Sequence, residues 1–163
     1  MQILVKTFRW VSLISLPIFW LTIPKSPAVA GDIGNCADSL IADGVPESAA
    51  AAACSDALEP TVLSSCVEDI SSNTDLEGDA ALQACYRVRR PDDLASCVTT
   101  ISSSLESEPM MALDTCRRSL LPLRHAECTV DLTGISDISS EEAMESCIAA
   151  EFNPNEVDPA TAN

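Results

Sequence analysis

The stretch "PDDLASCVTTI", Pro91 to Ile101, decides the fold. Proline opens it, and a helix accepts proline in its first turn, where the missing N–H would have had no partner anyway. Leu94 stands three residues before Cys97 and Ile101 four after it. That spacing places all three on one helical face, so the cysteine lies inside an apolar stripe. Two relatives follow the same plan: "PTVLSSCVEDI" from Pro60 to Ile70 and "PLRHAECTVDL" from Pro122 to Leu132.

Working outward, the cysteines keep a fixed interval. Cys54, Cys85, Cys116 and Cys147 are 31 residues apart at every step, as are Cys66, Cys97 and Cys128, with Cys36 one residue out of phase. Four copies of a unit of about 31 residues account for this, over 31–59, 60–90, 91–121 and 122–152. Ile33, Leu63, Leu94 and His125 precede the first cysteine of each unit by three residues; Leu40, Ile70, Ile101 and Leu132 follow it by four. The second cysteine has Ala51, Leu82, Leu113 and Met144 three residues before it. Pro46 and Pro109 mark further helix starts, and Ser139 with Glu142 forms a capping-box pattern. The reading is eight helices of about 10 to 14 residues, two per unit.

Helices joined by short loops run antiparallel, with their midpoints side by side. At an interaxial distance of about 9 Å, facing cysteines reach the Cα separation of about 5.5 Å that a disulfide needs. Eight cysteines allow 105 pairings, of which repeat symmetry leaves two. Pairing inside units joins Cys36 to Cys54, Cys66 to Cys85, Cys97 to Cys116 and Cys128 to Cys147. Pairing across units joins Cys54 to Cys66, Cys85 to Cys97 and Cys116 to Cys128. Helix geometry does not separate the two schemes, but the second strands Cys36 and Cys147, which favours the first. The predicted architecture is all-α, a short α-solenoid of four disulfide-stapled helical hairpins. In kind it resembles the tetratricopeptide class of helical-hairpin repeats, with a shorter period and without that pattern's aromatic and glycine signatures. The resemblance covers architecture alone and implies no binding residues.

Residues 1–30 read as a secretory signal peptide: Lys6 and Arg9, an uncharged run from Trp10 to Pro24, and the small residues Ala28 and Ala30 before the cleavage point. The run is interrupted by Pro17 and falls short of the roughly 20 apolar residues that span a bilayer. Export to a periplasmic or extracellular space is expected, and that compartment suits disulfides. Lys6, Arg9 and Lys25 leave with the signal, so six arginines face 25 carboxylates, a formal charge of −19. Such a field repels nucleic acid and anionic membranes. The processed chain retains Tyr86 and Phe152 as its aromatics and no lysine, which excludes a Schiff-base mechanism. Residues 153–163, "NPNEVDPATAN", read as a disordered tail.

Catalytic patterns are missing. No C-x-x-C, C-x-x-C-H or G-x-S-x-G occurs, so no catalytic residue, cofactor or metal is assigned; the exception considered is a thiol-redox role at one bridge. "NTDLEGDAALQA", Asn73 to Ala84, begins like a calcium loop but ends in alanine where a bidentate glutamate belongs, so it reads as a turn and a helix start. His125 occupies a stripe position and is expected to be a partly buried, hydrogen-bonded core residue. All six arginines of the processed chain fall between 87 and 124, with Arg87 and Arg118 one repeat apart. Arg87, Arg117 and Arg118 are the candidate partner-binding residues; the competing reading pairs the arginines with carboxylates such as Asp92, Asp93 and Glu127 between units, with Asp93 and Arg124 at equivalent positions. The expected function is non-enzymatic: a helical-repeat module that binds an unidentified protein partner. The alternative is a carrier of a small apolar ligand held between alanine-rich helices.

Overall fold

Prolines and apolar stripes translate into eight helices in the computed structural model, which describes residues 30–105, 107–135 and 137–152. They are α1 (Ala30–Ala42), α2 (Glu47–Asp56), α3 (Pro60–Asn73), α4 (Gly78–Cys85), α5 (Pro91–Ser104), α6 (Pro109–Arg118), α7 (Pro122–Ile135) and α8 (Ser140–Phe152). No strand occurs among the described residues. The expected signal peptide, 1–30, lies outside them apart from Ala30, as does the expected disordered tail, 153–163.

Proline begins α3, α5, α6 and α7, fixing φ where no hydrogen bond is lost. Pro46 instead stands just before α2 as its N-cap. The α1 helix ends in a Schellman turn: Val45 N–H donates to the Leu40 carbonyl and Gly44 N–H to that of Ile41, with Gly44 at φ +88°. At the start of α8 the Ser139 hydroxyl accepts the Glu142 N–H at 3.2 Å.

Short loops turn each odd helix back against the even helix that follows. The odd helices α1, α3, α5 and α7 stand in one row, each packed on the next, while α4 meets α6 and α6 meets α8 in a second, looser row. Disulfides tie row to row: Cys36–Cys54, Cys66–Cys85, Cys97–Cys116 and Cys128–Cys147, with Cα separations of 5.9 to 6.1 Å. No cysteine is free. The core lies between the rows and is made of the first three bridges, Cys147 of the fourth, Leu40, Leu63, Val67, Ile70, Leu94, Val98, Ile101 and Met144; Cys128 is half-buried.

Close approach of the rows depends on a line of small residues beside the apolar stripes. Ala50, Ala81, Ala112 and Ala143 each precede the second cysteine of a hairpin by four residues, and all four are wholly buried. The first hairpin departs from the expected pattern. Ala51 is exposed and Ile33 about a third exposed, where Leu82, Leu113 and Met144, and Leu63 and Leu94, are buried at the equivalent positions, because no preceding described hairpin covers α1 and α2. Gly78 has a structural role distinct from any calcium loop: a Cβ there would overlap the backbone carbonyl of Asp43, so the start of α4 lies directly on the α1–α2 turn.

Candidate functional site

With a constant repeat, every junction between hairpins emerges at the same end of the two rows. Residues 57–59, 86–90 and 119–121 form this rim, and α8 ends beside them at Phe152. Arg87, Arg89 and Arg90 occupy the second junction, Arg117 and Arg118 close α6, and Arg124 lies in the first turn of α7. The opposite end, built of the loops inside hairpins and their flanking turns, carries Asp43, Glu47, Asp75, Glu77, Glu108, Asp137, Glu141 and Glu142 and no arginine. Leu58, Leu120, Leu121 and Leu123 are exposed on the rim, Leu58 completely. The end that every described arginine shares is therefore also rich in uncovered leucine.

Neighbouring junctions brace one another. Arg87 donates to Asp56 Oδ2 through Nη2 at 2.8 Å and Nε at 3.3 Å, and the Tyr86 hydroxyl donates to the same oxygen at 2.6 Å. The guanidinium lies 5.1 Å from the centre of the Tyr86 ring. These contacts hold the Asp56 carboxyl below its usual range, the Tyr86 hydroxyl first and Arg87 second, and they raise Tyr86 and Arg87. Arg87 adopts φ +59°, the one left-handed non-glycine among the described residues. Its helix, α4, has eight residues, shorter than expected, because Tyr86 leaves it in an extended conformation and carries Arg87 toward Asp56.

One junction further on, the braces use different groups. Arg90 Nη2 donates to the Leu120 carbonyl at 2.6 Å, while its Nη1 donates to Asp93 Oδ2 at 3.1 Å. Glu151 accepts the Ser119 hydroxyl at 2.7 Å and the Leu120 N–H at 2.8 Å. This corrects the expected ladder of Asp93 and Arg124: Asp93 sits in the first turn of α5, where Arg90 just before the helix reaches it first. The ion pair that does cross between hairpins is Arg87–Asp56. Arg118, repeat-equivalent to Arg87, turns inward along its own helix to Asp114 at 3.1 Å. Arg89, Arg117 and Arg124 form no ion pair among the described residues.

Between the first and second junctions lies an open groove of about 590 Å³. Its lining combines the apolar Ala57, Val62, Leu63 and Val88 with Arg87 and Arg89 and with the carboxylates of Asp56, which Arg87 pairs, and Glu59. His125 is elsewhere, in the core. It is 1% exposed, more deeply buried than expected, and neither ring nitrogen has a hydrogen-bond partner among the described residues. Burial pushes its pKa below the usual value, Arg118 adds to the effect and Glu151 opposes it. Among the described residues no group of three or more histidine, cysteine or acidic side chains could hold a metal ion.

The chain matches no protein-family model, no curated protein and no solved structure.

Proposed function

We propose that this protein acts outside the cytoplasm as a non-enzymatic, disulfide-stapled helical array that presents its arginine rim to another protein. Four bridges suit an oxidising compartment, and no described helix is long and apolar enough to cross a membrane. The observation that carries the reading is the gathering of the six described arginines and four exposed leucines at one end of an acidic chain. Arginine is enriched at protein interfaces, and unlike charges orient an approaching partner. The acidic opposite end turns the same partner away.

Crosslinking in the exported fraction, followed by purification of the tagged chain, tests this. A defined partner is expected, and it should be lost on Arg117→Glu with Arg118→Glu, which leaves the Arg87–Asp56 pair intact. Equal recovery by the variant, or nothing above background with the parent, would sink the proposal. A second reading, carriage of a small apolar ligand, draws on the apolar part of the groove lining. Native mass spectrometry of protein from its source would show the added mass; a clean apo mass removes that reading. The buried repeat alanines do not favour it, since helix contacts already fill the space they leave.

A further inference from the structure

We infer that the groove below Arg87 is the seat for an extended polypeptide segment carrying an apolar residue beside an acidic one; this deepens the partner-binding reading and rests on it.

The argument comes from comparing equivalent positions around the rim. At residue 120 both backbone groups are satisfied by neighbouring hairpins: the carbonyl by Arg90 of the preceding one and the N–H by Glu151 of the following one. In the groove the chemistry needed for either brace is absent: the equivalent carbonyl is that of Arg89, one repeat before Leu120, and the equivalent N–H is that of Leu58, two repeats before it. Glu59 stands where Arg90 does, and a carboxylate cannot donate to the Arg89 carbonyl. Arg89 stands one repeat before Leu120 and two before Glu151, and a guanidinium cannot accept the Leu58 N–H. The Leu58 N–H and Arg89 carbonyl accordingly have no hydrogen-bond partner among the described residues, and both belong to residues lining the groove.

A bare donor and a bare acceptor beside apolar lining residues match the groups that an extended backbone presents, in the manner of strand addition, with alternate side chains pointing down and out. A lipid or hydrocarbon would leave both backbone groups unanswered. The acidic preference follows from Arg87. Its Nε and Nη2 serve Asp56, which leaves the Nη1 hydrogens directed at no other described group. Backbone strain at φ +59° is maintained there although the repeat-equivalent residues Asp56 and Arg118 stay helical. At this one junction the helix thus stops two residues earlier than α2 and α6 do, and a guanidinium stands at the groove.

The test titrates the oxidised protein with an acetylated, amidated Gly-Leu-Glu-Val-Gly pentapeptide and follows backbone amide signals by NMR. Saturable shifts at Leu58 and Tyr86 to Arg89 are expected. Binding should weaken at least tenfold when the probe's glutamate is replaced by lysine or its backbone nitrogens are methylated. The decisive variant is Glu59→Arg with Arg89→Glu, which rebuilds, between the first and second junctions, braces of the kind seen around Leu120. It should melt no lower than the parent and bind the probe at least tenfold more weakly. Undiminished binding by that variant, equal binding of the methylated probe, or shifts centred away from the groove would overturn the inference. Absence of any saturable shift with the parent would do the same, while a partner captured through Arg117 and Arg118 would still stand.

Discussion

Removing one bridge tests the energetic basis of the fold. Replacing Cys97 and Cys116 together by alanine deletes a link that closes a separation of 19 residues and leaves no stray thiol. Restricting an unfolded loop of that size is worth about 3 kcal/mol in the chain-entropy account. Cys97 and Cys116 are also wholly or almost wholly buried, so the lost sulfurs add a small void in the core. A domain of this size has a total stability of about 5 to 15 kcal/mol, so the loss should lower the melting temperature by roughly 10 to 15 °C. Thermal and urea unfolding at neutral pH of the chain from residue 31 onward are the assays. The midpoint should fall, and the slope should rise as the unfolded chain expands. The other bridges close 18, 19 and 19 residues, a spread worth less than about 0.1 kcal/mol in loop entropy. Any larger difference among the four paired variants therefore reports on folded-state packing alone. A loss below about 1 kcal/mol with an unchanged slope would refute the reasoning.

Gly78→Ala should destabilise by about 2 kcal/mol in the same assay, since its methyl group would meet the Asp43 backbone and overpacking outweighs the helix-propensity gain; an unchanged midpoint would refute the close approach. His125→Leu should stabilise by about 1 kcal/mol or more at pH 7, because the three equivalent positions are the apolar Ile33, Leu63 and Leu94 and the ring nitrogens are unsatisfied. The parent should lose stability as pH falls below 6.5, where the unfolded histidine takes up a proton that the folded one, with its lowered pKa, still refuses. The variant should lack that slope, as followed by melting temperature against pH; a parallel slope in both would reject the assignment. Ala112→Leu should cost about 1 to 3 kcal/mol, while Ala51→Leu, on the exposed face, should shift stability by less than about 0.5 kcal/mol. Thermal melts of the two side by side would expose an error in the register of the alanine row.

Much of this architecture was legible because two periodicities coincide. Proline six residues before Cys66, Cys97 and Cys128 fixes helix starts, and the apolar offsets around each cysteine fix the buried face. The inward register of α2 was hidden because in "AAAAAC", Ala49 to Cys54, hydrophobicity is equal on every side and periodicity has nothing to report. The alanine positions at 50, 81, 112 and 143 were in plain view at the repeat interval, yet a stripe analysis weighted toward large side chains overlooks the small ones that let helices meet. At the rim, the clustering of arginines followed from the repeat, but their partners did not. Arg87 and Arg118 are equivalent in sequence and yet turn to different carboxylates, because one has left its helix and the other has not. The groove depends on what Glu59 and Arg89 fail to donate or accept, a difference visible only once the junctions are aligned in space.

Because every bridge joins a cysteine to the next one along the chain, native connectivity coincides with order of appearance. A polypeptide emerging amino end first from a narrow exit would expose Cys36 and Cys54 before Cys66, and so on pairwise to Cys147. An oxidant acting on the first two available thiols would generate the correct covalent structure sequentially, with no shuffling required. Vectorial oxidation of a tethered chain should therefore outpace refolding from the fully reduced state, where all eight thiols compete at once.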